Sequence, residues 1–275
     1  MPRAFIGLRH EPFRRRQAFI QGLETLGYKC IDVISPDAKE INWPPKHVEP
    51  DEVLLIWNRG GRFERMALDI EGQYGKVLVT ENGYFPAASG DKTYALALTQ
   101  HNGYGAWHVG NTKRQESLGM DIKPWRRSGK KILVCGQRSI GSMAMGMPQG
   151  WQRTVVRKIK QYTDKRIIVR EHPRSLELRG LPSVPLKDEL AKAFAVVVWS
   201  SGCANWALAY GVPVFYCAPA IVCAVAAKPG LEELESPLRG DRSEAFRRLS
   251  WAQWTIDEIA SGKPFKHLLK GELNA

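Results

Sequence analysis

Arg166-Ile167-Ile168-Val169-Arg170-Glu171-His172-Pro173-Arg174 opens the stretch that decides the fold, and Gly211-Val212-Pro213-Val214-Phe215 closes it. Between them Phe194-Ala195-Val196-Val197-Val198-Trp199 is a second apolar run, ending in Ser200-Ser201-Gly202. These runs are short and rich in β-branched residues, the pattern of strands in a parallel sheet. A helix of small residues is predicted after Ser200-Ser201-Gly202. Strand, polar tip, strand, hydroxyl-rich helix start and strand is the order in which an open parallel sheet places ligand groups outside the carboxyl ends of its strands. A helix opening on Ser-Ser-Gly offers backbone N–H groups and hydroxyls that suit a phosphate. The cations of the neighbouring tip face the same crevice.

Upstream, the alternation continues. Ala4–Leu8 reads as a strand, Arg14–Leu26 has helical spacing and stops at Gly27, and Tyr28–Val33 is a second strand. A Pro-rich loop, Trp43-Pro44-Pro45, precedes the buried strand Glu52–Trp57; a helix is predicted over Arg62–Tyr74 and a strand over Lys76–Thr80, with Glu81-Asn82-Gly83-Tyr84-Phe85 at its tip. Ala95–Thr99 is strand-like, with His101-Asn102-Gly103 after it. Such alternation predicts βα units on a parallel sheet. Asn111–Lys131 is polar and basic with little apolar periodicity, which places a domain boundary there. Ile132–Cys135 then restarts as a strand with Gly136-Gln137-Arg138-Ser139 at its tip, and Trp151–Thr163 is a basic helix. The expected organisation is a Rossmann-like domain over 1–120, a second over 121–245, and closing helices over 246–275.

At 275 residues the chain can bury a sizeable core in either domain. Its longest apolar tract, around Ala218–Ala227, is about half of what a membrane span needs. The first residues enter a strand-like run with no apolar leader, so no stable membrane insertion and a cytoplasmic location are expected. The five cysteines show no CxxC pairing and no histidine at zinc spacing, the mark of reduced thiols. Forty Lys and Arg against 28 Asp and Glu give a net charge of +12. That surplus predicts attraction to a polyanion, nucleic acid or an anionic membrane face, although solubility alone also accounts for a basic surface.

Two Rossmann-like halves, a His-Pro strand tip and a Ser-Ser-Gly helix start resemble the GT-B glycosyltransferases, which implies two parallel-sheet domains around a cleft. Within that class the chain is similar to capsular-polysaccharide Kdo transferases. Their acidic-x-Gly-Phe, basic-x-His-Pro and Ser-Ser/Thr…Glu-Ala-Leu…Gly-x-Pro-Val motifs have counterparts in Glu81–Phe85, Arg170–Arg174 and Ser200–Val214. The glutamate of the last motif is replaced by Trp206, with Asn205 before it. A short, basic chain of this type also resembles the phage enzymes that glycosylate modified DNA bases.

The resemblance implies transfer from a nucleotide-sugar, a UDP-sugar being the expected co-substrate, with inversion; no carboxylate pair in the chain suits a divalent metal, so metal-independent chemistry is expected. Its preferred acceptor is a hydroxymethylated base such as 5-hydroxymethylcytosine in duplex DNA, in the host cytoplasm if the chain is phage-encoded. A surface polysaccharide or lipid-linked glycan is the alternative acceptor, and a non-enzymatic nucleic-acid-binding protein of GT-B type is a further reading. Glu81 is the expected general base and His101 its alternative or orienting partner. Gln137, Arg138, Arg170, His172, Arg174, Ser200, Ser201 and Gly202 are the expected donor-phosphate contacts. Arg59, Arg62, Tyr84, Arg126 and Arg127 are the expected acceptor contacts, with further cations in Arg14-Arg15-Arg16. Each group has a simpler structural reading too: Glu81 as a turn cap, His101 as a loop hydrogen-bonder, Ser200-Ser201 as an N-cap.

Overall fold

The computed structural model describes residues 1–35, 42–43, 45–138 and 145–271. Pro44 and Ser139, named above, lie outside the described residues. The chain divides into two compact units, Met1–Gly119 with Arg247–Ala275, and Met120–Phe246.

In the first unit β1 (Arg3–Gly7), α1 (Phe13–Glu24), β2 (Lys29–Asp32), β3 (Val53–Trp57), α2 (Arg62–Glu71), β4 (Lys76–Asn82), β5 (Thr93–Leu98) and α3 (Lys113–Ser117) follow in order. The second unit holds β6 (Lys131–Cys135), α4 (Trp151–Ile159), β7 (Arg166–Arg170), α5 (Pro173–Glu177), α6 (Leu186–Leu190), β8 (Ala193–Val198), α7 (Cys203–Ala209), β9 (Val214–Tyr216) and β10 (Lys228–Pro229). The chain then runs through α8 (Ser243–Trp251) and returns to the first unit as β11 (Gln253–Thr255), α9 (Ile256–Ala260) and α10 (Lys263–Lys270).

The first sheet has the order β11-β5-β4-β3-β1-β2. Strands β2, β1, β3 and β4 are parallel, as the βα alternation requires, whereas β5 runs antiparallel to β4 and β11 antiparallel to β5. Val53, Leu54, Leu55 and Ile56 of β3 are fully buried because helices cover both faces. On one face Leu55, Leu78 and Leu96 pack with Phe19 and Leu23 of α1 and Phe265 of α10; on the other Ile56, Val77 and Val79 pack with Met66 and Ile70 of α2. Helix α1 approaches α9 so closely that a Cβ on Gly22 would lie 2.0 Å from the Ile259 carbonyl oxygen.

The second sheet, β10-β9-β8-β6-β7, is parallel throughout. The chain leaves β6 for β7 on one side and then crosses to β8 on the other, so the topological switch point lies between β6 and β8. Open α/β sheets form their ligand crevice outside the carboxyl ends of strands at such a point. Among the described residues no helix is long and apolar enough to cross a membrane.

Candidate functional site

Glu81 is the penultimate residue of β4 and pairs in register with Ala95. The strand therefore runs past its predicted end, and Glu81 belongs to the ladder before the turn begins. By strand alternation its side chain shares the face of Val77 and Val79. No described residue makes a hydrogen bond or ion pair with its carboxylate. Surrounding protein desolvates the half-buried group and raises its pKa to about 7. An unpartnered carboxyl that titrates near neutrality is suited to taking a proton from a hydroxyl.

The turn after Glu81 is held from three sides. Gly83 N–H donates to the Thr93 carbonyl oxygen at 2.9 Å, and the Thr93 hydroxyl donates to the Phe85 carbonyl. The Oε1 of Gln253, fully buried on β11, accepts both the Tyr84 N–H at 2.7 Å and the Phe85 N–H at 2.9 Å. A Cβ on Gly83 would lie 2.0 Å from Thr93 Oγ1 and 2.7 Å from its carbonyl carbon. Gly83→Ala is therefore expected to cost about 1–3 kcal/mol through overpacking against backbone, read as a lower denaturation midpoint with an unchanged slope. Gln253 and Thr93 escaped sequence reasoning: Gln253 lies 169 residues from Tyr84, and Thr93 reaches the turn only through the antiparallel pairing of β5 with β4.

His101 is buried, and its Nδ1 lies 3.5 Å from the Arg59 backbone N–H. Burial, and then the Arg59 charge, lower its pKa to about 4. It is held neutral at physiological pH, and no hydrogen bond links it to Glu81 among the described residues. Arg59 is itself 5% exposed. It donates to Glu71 Oε1 at 2.6 Å, Glu71 Oε2 at 2.9 Å and the Thr99 carbonyl at 2.6 Å. Burial opposes its charge, but Glu71 and Glu64 hold its pKa above the ordinary value. Arg59 thus braces the tip of β3 instead of presenting a guanidinium to an acceptor. Arg62 is exposed and lies over the Phe63 ring, and Tyr84 is half-buried.

In the second unit the switch point is bridged by side chains. Gln137, after β6, donates from Nε2 to Ser200 Oγ at 3.1 Å and accepts the Ser200 N–H on Oε1 at 2.9 Å. Sequence reasoning assigned both to one ligand, and the structure brings them together, although the Gln137 amide is occupied by Ser200. Arg138 beside it is exposed and has no ion-pair partner among the described residues. His172 caps α5, its Nδ1 accepting the Arg174 N–H at 3.1 Å. The strand tip of the sequence reading is thus a helix start. Burial, then Arg138 and Arg170, lower the His172 pKa, so the ring is neutral with Nε2 carrying the proton.

The other expected contacts are less free. Arg170 forms an ion pair with Glu189 and donates to the Val184 carbonyl at 2.6 Å, which ties β7 to α6. Arg174, exposed, donates to Glu177 at 2.6 Å. Arg126 donates from its guanidinium to the Ala191 carbonyl and from its backbone to the Gly211 carbonyl at 2.8 Å. It thereby fastens the basic stretch to the second unit, while Arg127 is exposed. Ser201 Oγ accepts the Cys203 N–H at 3.3 Å, and Gly202 is exposed. Hydrogen bonding from Cys135, and then from Ser201, lowers the Cys203 pKa to about 6 against the opposing effect of burial. This thiol pair was missed because its members are far apart in sequence. Trp206, standing where the family motif has glutamate, is half-buried against Tyr210 at 6.4 Å between ring centroids. The described residues contain no cluster of His, Cys, Asp and Glu that could hold a metal ion.

Two α/β units, one built on a wholly parallel sheet with a bridged switch point, define the GT-B-type fold. The backbone is similar to the beta Kdo 2,7 transferase of Thermosulfurimonas dismutans KpsC, with a TM-score of 0.56 at 13% identity over 96% of this chain and 99% of that one. It is also similar to the beta Kdo 2,4 transferase of the same protein, with a TM-score of 0.54 at 12% identity over 90% of each chain. No family model matches the chain, and no curated protein matches it in sequence.

Proposed function

We propose that this protein transfers a sugar from a nucleotide-sugar to a hydroxyl of an anionic acceptor. The observation that carries the reading is Glu81, an unpartnered carboxyl at the carboxyl edge of the first sheet with a pKa near 7. In the proposed step the acceptor hydroxyl gives its proton to Glu81 as its oxygen bonds to the anomeric carbon. The bond from that carbon to the donor phosphate breaks on the opposite face, and the phosphate leaves with the electron pair. Arg138 and the Nε2–H of His172 are the groups that would meet the departing charge, with Ser200 and Ser201 beside them. The likeness to the Kdo transferases supports the fold this chemistry needs.

Two acceptors are in view. The net charge of +12 favours duplex DNA with hydroxymethylated bases. The fold likeness to beta Kdo transferases favours an acidic surface glycan. Purified protein incubated with a pool of nucleotide-sugars and either 5-hydroxymethylcytosine DNA or acidic oligosaccharides tests both at once by mass spectrometry. A hexose-sized gain on nucleosides assigns DNA, a sugar-sized gain on the oligosaccharide assigns a glycan, and gain on neither rejects transfer to these classes. Arg138→Gln is expected to raise the donor KM by about tenfold with kcat little changed, the loss of one charge-assisted phosphate contact.

A further inference from the structure

The first unit contains a cavity of about 350 Å³ that no step above uses. It lies at the carboxyl edge of the first sheet, on the α1 side, whereas Glu81 shares the α2 side. Arg14 and Arg15 of α1, Lys92 and Tyr94 of β5 and its approach, and Asp257 of α9 line it. Arg14 and Lys92 are exposed. None of the three cations has an ion-pair partner among the described residues. Arg16, next along the helix, shows the contrast: it is buried and paired with Asp32.

Arg15 is the telling residue. Its guanidinium lies 4.2 Å from the Trp57 ring centroid, at the end of β3. Among the described residues its one hydrogen bond is a long one, 3.3 Å to the Glu11 carbonyl, and its buried Nε has no acceptor. Burial lowers its pKa, and no carboxylate offsets the cost. A desolvated, unpaired guanidinium is unfavourable unless an anion completes it. The backbone adds to the imbalance. Helix α1 has no acidic residue within its first turn and carries Arg14 and Arg15 there, the reverse of what the helix dipole favours, while the preceding Glu11 carboxylate accepts the Phe13 N–H at 3.0 Å. The lining carboxylates, Asp91 and Asp257, are outnumbered by these three cations, so the cavity keeps a positive balance.

We propose that this cavity is a phosphate-ester site, with the phosphate between Arg14, Arg15 and Lys92 and the ester's sugar against Tyr94. The site stands apart from the sugar-transfer reading, since occupancy is measured without turnover. The whole chain, labelled with 5-fluorotryptophan, is titrated with inorganic phosphate, ribose 5-phosphate and a short oligothymidylate, and the fluorine resonance of Trp57, assigned from Trp57→Phe, is followed. A saturable shift that chloride at matched ionic strength does not reproduce is the expected result. Arg14→Gln with Lys92→Gln, both changes on exposed side chains, should weaken binding at least about tenfold. Tighter binding of the oligothymidylate than of ribose 5-phosphate assigns the site to a nucleic-acid backbone; equal or weaker binding assigns it to a free phosphate ester. No saturable shift with millimolar phosphate or either ester, or an unchanged affinity in the double variant, overturns the proposal.

Discussion

Glu81→Gln is expected to slow sugar transfer by about 10²–10⁴-fold, the share a positioned general base contributes, and to make the protein more stable above neutral pH. The two effects have one cause. Desolvation raises the Glu81 pKa from 4.5 to about 7 because the surrounding protein disfavours the charged form. The folded state therefore holds its proton where the unfolded chain has lost it. Stability from this group is fully present below the unfolded value of 4.5 and is lost as pH rises through about 7. Glutamine has no charge to desolvate and escapes that loss. The variant and the parent should melt together near pH 4, and the variant should melt higher at pH 8, with the gap opening across the interval between. Over the same interval the parent's kcat/KM should rise toward a plateau as the base ionises. A melting gap that does not change with pH would mean the carboxyl is not desolvated. Full transfer activity in the variant would move the base elsewhere, whatever the melting curves show.

Much of this arrangement is legible in the chain because it is local. The apolar runs at Val53–Trp57, Lys131–Cys135 and Ala193–Val198 are strands, and Arg62–Glu71 and Trp151–Ile159 are helices, where periodicity and β-branching place them. Strand β11 has only Gln253–Thr255 to show, too short for a pattern, and exists because β5 offers it a partner. The same limit applies at the sites. Glu81 is visible as a polar tip after an apolar run, but Gln253, which holds the following turn, is 169 residues from Tyr84. Gln137 and Ser200 are 63 residues apart and were grouped only because both end adjacent strands. Arg59 and Arg170 look in sequence like the other strand-tip cations. Their carboxylate partners, Glu71 and Glu189, lie on helices whose packing no local signal specifies. A cation's availability is thus a tertiary property, and it separates Arg138 from Arg170 although both stand at the carboxyl ends of strands of one sheet.

Arg114→Ala should produce the largest loss of stability, about 3–5 kcal/mol, the range for stripping one partner from a buried ion pair. Arg114 is 7% exposed and lies just after the start of α3. Its Nε donates to the Ser250 carbonyl at 2.7 Å, and its terminal nitrogens donate to Glu258 at 2.6 and 3.1 Å and to the Gln253 carbonyl at 2.6 Å. The guanidinium carbon also lies 3.8 Å from the Trp254 ring centroid. One side chain thereby fastens the returning tail, from α8 through β11 to α9, onto the body of the first unit. Alanine leaves the Glu258 carboxylate and both carbonyls without these bonds. Lysine restores charge but not the planar fork, so Arg114→Lys should recover only part of the loss. Acid supplies an independent check. Burial works against the Glu258 charge, yet Arg114 holds its pKa below the ordinary value. The stability from this pair is present above the unfolded carboxylate pKa and is lost as pH falls through the folded one. The gap between parent and Arg114→Ala in denaturant midpoint should therefore narrow in acid, with the variant the less stable protein, whereas Glu81→Gln is the more stable one above neutrality. Through Gln253, whose carbonyl accepts from Arg114 and whose side chain holds the Tyr84 and Phe85 N–H groups, the loss should reach the Glu81 turn as well. Faster amide exchange at Tyr84 and Phe85 in Arg114→Ala than in Arg114→Lys is the expected sign, and equal protection in the two would show that the tail and the turn are held independently.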